Sequence, residues 1–487
     1  MKRVLSFLLL AVLLCGCVSS PVQESSDQEP GVVLRYYTIG GADKDLALVS
    51  RALSELTEKR YGFGVEYYKI DFNEYADRTN AMINTNEPFD VMFTWGSHYS
   101  AHGSGGAFLD LTPYLQGEAY TLYNTVDSRL WQGVRMKGKI YGVPTNKELA
   151  PVAQFLFSES LLKKYHINPI QYRTLESLEP ILSLIKEKEP NVIPMLFTSQ
   201  RLNLTDYAGY EYIAGEDLPF VVRTGDPTCE VVNIYDTPEM RNVQTVLRRY
   251  YEKGYINPDA VVRTSVSRFS REQVFCQVGI GGPEAEQSFS VDYDYPIVSV
   301  ETGIPCVTNI SARGGIMAIS AKTKHPQEAI SFLNAVNLDP DVRNLLNYGI
   351  EGVHYTLTEE NQVHRISSTY RGIPYSQGNW YILKTMEGEN PEKWEHYRRY
   401  NDSAVSSRLL GFEPNLKGFE QEISLISKVY QRYDNALLTG SVDPEKYRAI
   451  ALDQMDQSGF QQVREELQRQ VDAWRLLNQL ETRIKHE

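Results

Sequence analysis

The chain predicts an α/β protein whose first portion is a parallel sheet with crossover helices. Three observations carry that expectation. Short runs rich in Val, Ile, Tyr and Phe alternate with amphipathic helical stretches from Val32 onward. Strand, helix, strand, helix and strand follow one another between Val32 and Trp95, the order of consecutive βαβ units. The 487 residues, 42% hydrophobic and 23% charged, suffice for a full core and exclude wholesale disorder.

The first strand is Val32-Val33-Leu34-Arg35-Tyr36-Tyr37, ended by Thr38-Ile39-Gly40-Gly41. A helix starts at Asp43, a natural N-cap, and puts Leu46, Val49, Leu53 and Leu56 on one face. Gly62-Phe63-Gly64 turns the chain into a second strand, Val65-Glu66-Tyr67-Tyr68. A second helix covers about 73–84, and Asp90-Val91-Met92-Phe93-Thr94-Trp95 is the third strand. Ligands of such sheets bind beyond the carboxyl ends of the strands. That rule selects 37–41, with Tyr37, Gly40 and Gly41, and 95–99, with Trp95, His98 and Tyr99. Backbone donors are expected from the first turn, aromatic platforms from the second.

Further on, helices are expected near 159–165, 175–188 and 238–253, with a short strand at 278–282 before Pro283. An apolar strand at 314–320 precedes a helix opened by Pro326 and another opened by Pro340 and stopped at Gly349. From Gly418 the chain reads as helical. Ile423, Ile426, Tyr430, Tyr433 and Leu437 form one stripe, and Phe460, Val463, Leu467, Val471, Trp474 and Ile484 another. Such stripes are packing faces far more often than ligand boxes.

The N-terminus carries a separate signal. Lys2 and Arg3 precede a run of about ten apolar residues, too short to span a bilayer but right for a signal-peptide core. It ends in Leu14-Cys15-Gly16-Cys17, which resembles the bacterial lipobox, with Cys17 as the lipidated residue after small Gly16. Residues 1–16 are then a signal peptide, and the Ser/Gln/Glu/Pro-rich 17–31 a flexible tether. The body is expected outside the cytoplasmic membrane, held there by lipid. The full chain's net charge of −13, which becomes −15 once Lys2 and Arg3 leave with the signal, argues against nucleic acid as a partner. Beyond the anchor only Cys229, Cys276 and Cys306 remain, which suits buried thiols or at most one bridge.

Catalytic and cofactor motifs are missing: no HExxH, Gly-x-Ser-x-Gly, Walker loop, GxGxxG or paired CxxC. No metal site or cofactor is expected, since the histidines do not cluster with carboxylates at ligand spacing; His98 and His102 read as part of a Gly/Ser-rich loop. The abundance of tyrosine, 32 against 17 Phe and 5 Trp, suits a surface that is both apolar and wet, although composition drift gives the same count.

Several motifs together resemble the extracellular solute-binding lipoproteins of bacterial ABC importers, in the large carbohydrate-binding group that includes maltose-binding protein. They are the lipobox and Phe89-Asp90-Val91-Met92-Phe93-Thr94-Trp95. They continue with Gly105-Gly106-Ala107-Phe108-Leu109-Asp110-Leu111-Thr112-Pro113-Tyr114-Leu115 and Gly138-Lys139-Ile140-Tyr141-Gly142-Val143-Pro144. Ile319-Ser320-Ala321-Lys322-Thr323-Lys324-His325-Pro326 is the last. Asn379-Trp380, Glu392-Lys393-Trp394, Asn401-Asp402-Ser403-Ala404 and Gln470-Val471-Asp472-Ala473-Trp474 are similar to the C-terminal region of a Gram-positive subgroup. The segment 223–236 is longer and less regular than the family pattern.

The resemblance implies a two-lobe periplasmic-binding-protein-like fold, each lobe a sheet flanked by helices, with a helical C-terminal extension. It divides the chain into lobe one at 32–145, lobe two at 146–310, a lobe-one return at 311–358, and lobe-two completion with the helical region at 359–487. It implies a monomer that captures an oligosaccharide by hinge closure and hands it to the permease subunits of an importer. Glu148, just after the crossover Pro144, and Glu284, after Gly281-Gly282-Pro283, then fall where the family places sugar contacts, and Trp380 is a stacking wall. A surface-anchored glycan hydrolase, with two carboxylates about 5–10 Å apart, and a binding protein for a peptide or other solute are the alternatives.

Overall fold

The computed structural model describes residues 31–199, 204–264, 273–293 and 295–484. Cys17, the signal segment and all of the tether except Gly31 lie outside the described residues.

The first elements appear where periodicity puts them: β1 (Val33–Ile39), α1 (Leu46–Tyr61), β2 (Gly64–Ile70), α2 (Tyr75–Thr85) and β3 (Val91–Thr94). β1 pairs in parallel with both β2 and β3, as strands joined through crossover helices do. The returning strand Ile316–Ile319 adds antiparallel to β3 and then takes Val143–Pro144 on its other side. All four residues of β3 and all four of the returning strand are buried, which suits their apolar sequence, Thr94 excepted. These strands, with α1, Pro326–Leu338 and Pro340–Tyr348, enclose the core of lobe one.

Lobe two is built differently. Its four-stranded sheet runs Ile297–Glu301, Val152–Ser158, Gln273–Gly281, Val192–Leu196, and the second strand is antiparallel to both neighbours. A three-stranded antiparallel sheet joins it, from Tyr210–Tyr212, Phe220–Arg223 and Val232–Asn233. The irregular 223–236 segment thus contains that sheet's edge strand. The C-terminal helices Glu420–Leu438, Pro444–Gln457 and Phe460–Ile484 close the same core with Ile426, Tyr430, Leu437, Phe460, Val463, Leu467 and Val471. Phe220 stacks on Phe460 at 4.7 Å and 6° between ring planes. The helical extension therefore braces lobe two.

One boundary differs from the expected division. Residues 359–379 pack on lobe one, not lobe two: Tyr370 is fully buried in the lobe-one core and donates its hydroxyl to Leu346 O at 2.7 Å. Tyr36 donates to Gln377 Oε1 at 3.0 Å, and Thr38 to Ser376 Oγ at 2.9 Å. The segment has little helical periodicity, so its lobe shows only in tertiary contacts such as these and the backbone bond from Gly372 N–H to Asn347 O at 3.1 Å. Three strands of chain then cross between the lobes: 147–151, 302–308 and 380–408. Cys306-Val307 pairs in parallel with Val405-Ser406, which ties the second and third crossings together. Cys229, Cys276 and Cys306 are all free thiols. No helix among the described residues is long and apolar enough to cross a membrane.

Candidate functional site

On lobe one the platform is Trp95, held where β3 ends. Its ring stacks on Phe93 (5.5 Å, 19°) and leans on Tyr75 (5.7 Å) and His98 (4.7 Å). Tyr75 is fixed beneath it by a hydroxyl bond to Phe93 O at 2.8 Å. With Ile39 and Ile373 these rings form a small apolar cluster at the carboxyl ends of β1 and β3. Trp95 itself stays half-buried, so one part of the indole remains available. His98 is also half-buried, and burial pushes its imidazole below the ordinary value, towards the neutral form.

The expected His98–His102 loop is instead a helix, α3 (Gly96–Ser104). Its first N–H, from Gly96, is held by Arg313 O at 2.9 Å, so tertiary contact overrides the poor helix propensity of glycine and serine. The helix turns Tyr99 into the lobe-one core. Tyr99 is wholly buried, donates to Val134 O at 2.7 Å and accepts from Tyr141 N at 3.0 Å, so it has no open ring face and is not the expected platform. His102 bonds Asn80, and no cluster of metal-binding side chains occurs among the described residues.

The first turn fares less well. Tyr37 lies within β1, stacked on Tyr68 at 4.8 Å, with Glu87, Arg35 and Arg78 near its hydroxyl; it is not brought to the Trp95 platform. Gly40 is at the strand end, but its N–H already donates to Ile70 O at 2.9 Å. A Cβ on Gly41 would meet nothing within 4 Å, so the position is open.

The other side of the site gathers three of the expected residues. Glu148 sits on the first crossing, its Oε1 accepting from Lys147 Nζ at 2.7 Å. Glu284 accepts from His396 at 2.7 Å and from Asn390 Nδ2 at 3.4 Å. Each keeps its second carboxylate oxygen, Oε2, shielded from solvent and without a protein donor. Such an acceptor costs roughly 1–3 kcal/mol while unpaired. Glu284 also holds a left-handed backbone, φ 57°, which a non-glycine residue rarely adopts outside strained or functional positions. Gly282 leaves room for Glu148 beside Tyr397: a Cβ there would stand 3.1 Å from Glu148 Cβ and 3.8 Å from the Tyr397 ring.

Trp380 is the third. It forms a wall with two rings that sequence reasoning did not select, Trp394 and Tyr397, at centroid distances of 5.6–6.2 Å. Its indole N–H donates to Pro374 O at 2.9 Å, and that of Trp394 to Leu383 O at 2.6 Å, so both rings are oriented by backbone. Burial, then the charges of Glu148 and Glu284, push the Tyr397 hydroxyl far above its usual range, which keeps it a neutral donor. Trp394 and Tyr397 lie three apart on the helix Lys393–Ser403, and that spacing was the signal available in the sequence.

The two sides meet at the base of the lobes. Lys147 packs within 3.9 Å of the Cβ position of Gly314, beside Arg313, whose carbonyl starts α3. Gly315 admits Tyr375, since a Cβ there would lie 2.2 Å from the Tyr375 carbonyl oxygen. Lys147 is paired with Glu148 and Arg313 with Glu413, so both cations here are neutralised by carboxylates. The arrangement offers flat aromatic faces and hydrogen-bond acceptors, the two things a pyranose ring with its hydroxyls requires.

Comparison with known proteins agrees with this chemistry. Residues 43–340 match the family described as bacterial extracellular solute-binding protein, and residues 408–476 match a domain of unknown function, DUF3502. A carbohydrate ABC transporter substrate-binding protein of Streptococcus pneumoniae is 27% identical over 476 residues, 94% of each chain. Lipoprotein LipO of Bacillus subtilis is 21% identical across 94% of this chain and 93% of its own. The crystal structure of the N-glycan transport solute binding protein NgtS from Streptococcus pneumoniae superposes with a TM-score of 0.84 at 26% identity, covering 91% of this chain and 99% of that one. Its complexes with Man1GlcNAc and Man5GlcNAc superpose at 0.79 and 0.75.

Proposed function

Since the chain belongs to the bacterial extracellular solute-binding proteins, we propose that it captures an oligosaccharide between its lobes and presents it to the permease of an ABC importer. The observation that carries this reading is the wall of Trp380, Trp394 and Tyr397 set beside the unpaired oxygens of Glu148 and Glu284. Ring faces stack on the half-buried Trp380 and Trp394 while hydroxyls donate to the carboxylates, and Trp95 with His98 adds a further ring face. The NgtS complexes support a mannose- and N-acetylglucosamine-containing glycan as the ligand class. The ligand favours the closed form only through contacts that exist when both sides touch it. No bond in the sugar is broken in this scheme. The body is tethered on the outer face of the cytoplasmic membrane through lipid on Cys17 and works as a monomer.

A thermal-shift panel of Man1GlcNAc, Man5GlcNAc, maltooligosaccharides and peptides tests the ligand class, because a ligand that binds only the folded state raises Tm. A shift with the mannose glycans and none with peptides is expected. A shift with peptides alone defeats the carbohydrate reading, and cleavage products after incubation defeat the binding-only one. For the anchor, Cys17→Ser should release the protein from the membrane fraction.

A further inference from the structure

The helix Lys393–Ser403 lies between the two matched regions, 43–340 and 408–476, and is covered by neither. One face of it does two things. Trp394 and Tyr397 belong to the aromatic wall, and one turn further Asn401 grips the first crossing between the lobes. Asn401 is 6% exposed. Its Oδ1 accepts the Leu149 N–H at 2.9 Å, and its Nδ2 donates to Lys147 O at 3.0 Å and to the Tyr381 hydroxyl at 2.5 Å. Tyr381 itself donates to the same Lys147 carbonyl at 3.0 Å. The amide thus pinches the backbone on both sides of Glu148.

Lobe one holds the backbone of this helix end in turn. Arg129, in the lobe-one helix Ser128–Val134, donates to the backbone carbonyls of Asn401 and Ala404, both at 2.9 Å, while paired with Asp127 at 2.8 Å. Beyond the clamp, Tyr400 donates to Ala150 O at 2.8 Å, just before the lobe-two strand Val152–Ser158 begins. Rotation of one lobe against the other has to change backbone angles within 147–151, and these are the residues so held.

We propose that Asn401 is a positioning residue for hinge closure: it sets the resting angle between the lobes and couples contact at the Trp394–Tyr397 wall to the crossing that carries Glu148. The ligand half of this statement rests on the oligosaccharide reading; the resting angle does not. A buried amide that satisfies one donor and one acceptor of the same crossing favours one backbone arrangement, because leaving both groups unpaired is costly. A ligand that shifts the wall shifts the helix, and the helix carries the amide with it.

The test compares wild type with Asn401→Ala and Asn401→Asp by small-angle scattering without ligand, calorimetric titration with Man5GlcNAc, and melting temperature. Asp keeps the acceptor for Leu149 N–H and loses the donor to Lys147 O, so it answers the question if the alanine variant fails to fold. The expected result is a changed radius of gyration without ligand and an affinity loss of about tenfold, with the ligand-saturated shape unchanged. A lower Tm with unchanged scattering and affinity means that Asn401 only stabilises the fold, and overturns the proposal. If the variants change shape while no protein, wild type included, binds the glycan, the oligosaccharide reading falls and the clamp stands.

Discussion

Lobe one encloses Arg343 with a single backbone acceptor, whereas lobe two encloses Glu211 and Asp206, whose carboxyls burial pushes towards the neutral form. Arg343 is fully buried; its Nη2 reaches Pro374 O at 3.1 Å, but Nε and Nη1 have no protein acceptor. Burial pushes its pKa down to about 10, against the pull of the surrounding Tyr348, Tyr36, Tyr370 and Tyr67. In lobe two, burial pushes Glu211 up to about 7, and burial with the like charges of Glu216 and Glu211 does the same to Asp206. Glu211 accepts from Ser407 Oγ at 2.7 Å, beside the third crossing. The lesson is that a buried arginine still carries its proton at neutral pH, whereas a buried carboxyl can shed its desolvation cost by taking one up. Glu211 and Asp206 therefore make lobe two sensitive to pH below about 7.

The contrast breaks most directly if the lobes are not separate cooperative units. Phe220→Ala removes a fully buried ring stacked on Phe460 and should cost lobe two about 3–5 kcal/mol. Differential scanning calorimetry should then show one transition lowered and the other in place; a single lowered transition means that the lobes melt together. Next in size is the pH effect. A carboxyl bound more tightly to its proton in the folded chain stabilises it fully below the unfolded pKa, near 4.5, and that contribution is lost as pH rises towards about 7. Glu211→Gln should remove a penalty of at most about 3 kcal/mol, raising Tm at pH 8 clearly more than at pH 4. An equal gain at both pH values would assign the effect to packing.

Two smaller effects sharpen the account of the site. Trp95→Ala should weaken glycan binding about tenfold in calorimetry, the loss of one stacked ring face, with Tm little changed. Unchanged affinity would remove Trp95 from the site. Tyr99→Phe should leave glycan affinity as it is and cost about 1 kcal/mol in chemical denaturation, since only the bonds to Val134 O and Tyr141 N are lost. A weakened affinity would restore Tyr99 as a contact.

Much of lobe one could be read in advance because its elements are local. Leu46, Val49, Leu53 and Leu56 mark α1 by spacing alone, and the helix spans Leu46–Tyr61. The βαβ order predicts parallel pairing, and β1 pairs so with β2 and β3. Trp95 follows from the strand-end rule, Glu148, Glu284 and Trp380 from family resemblance, and the structure places the last three around Gly282 and Tyr397. Tyr99 and the segment around His98 depart from expectation because Gly and Ser favour a loop locally, while the Arg313 carbonyl, some 200 residues away, holds the first N–H of a helix there.

By itself the sequence determined the periodic elements, the acidic balance and the amphipathic stripes of the C-terminal helices, since each depends on neighbours within a few turns of chain. Only the tertiary structure decided that 359–379 belongs to lobe one, that Trp394 and Tyr397 join Trp380, and that Asn401 clamps the backbone around Glu148. Those facts rest on hydrogen bonds and ring contacts between segments as far apart as Lys147 and Asn401. No local pattern records such a contact, because its energy appears only when the chain has closed on itself.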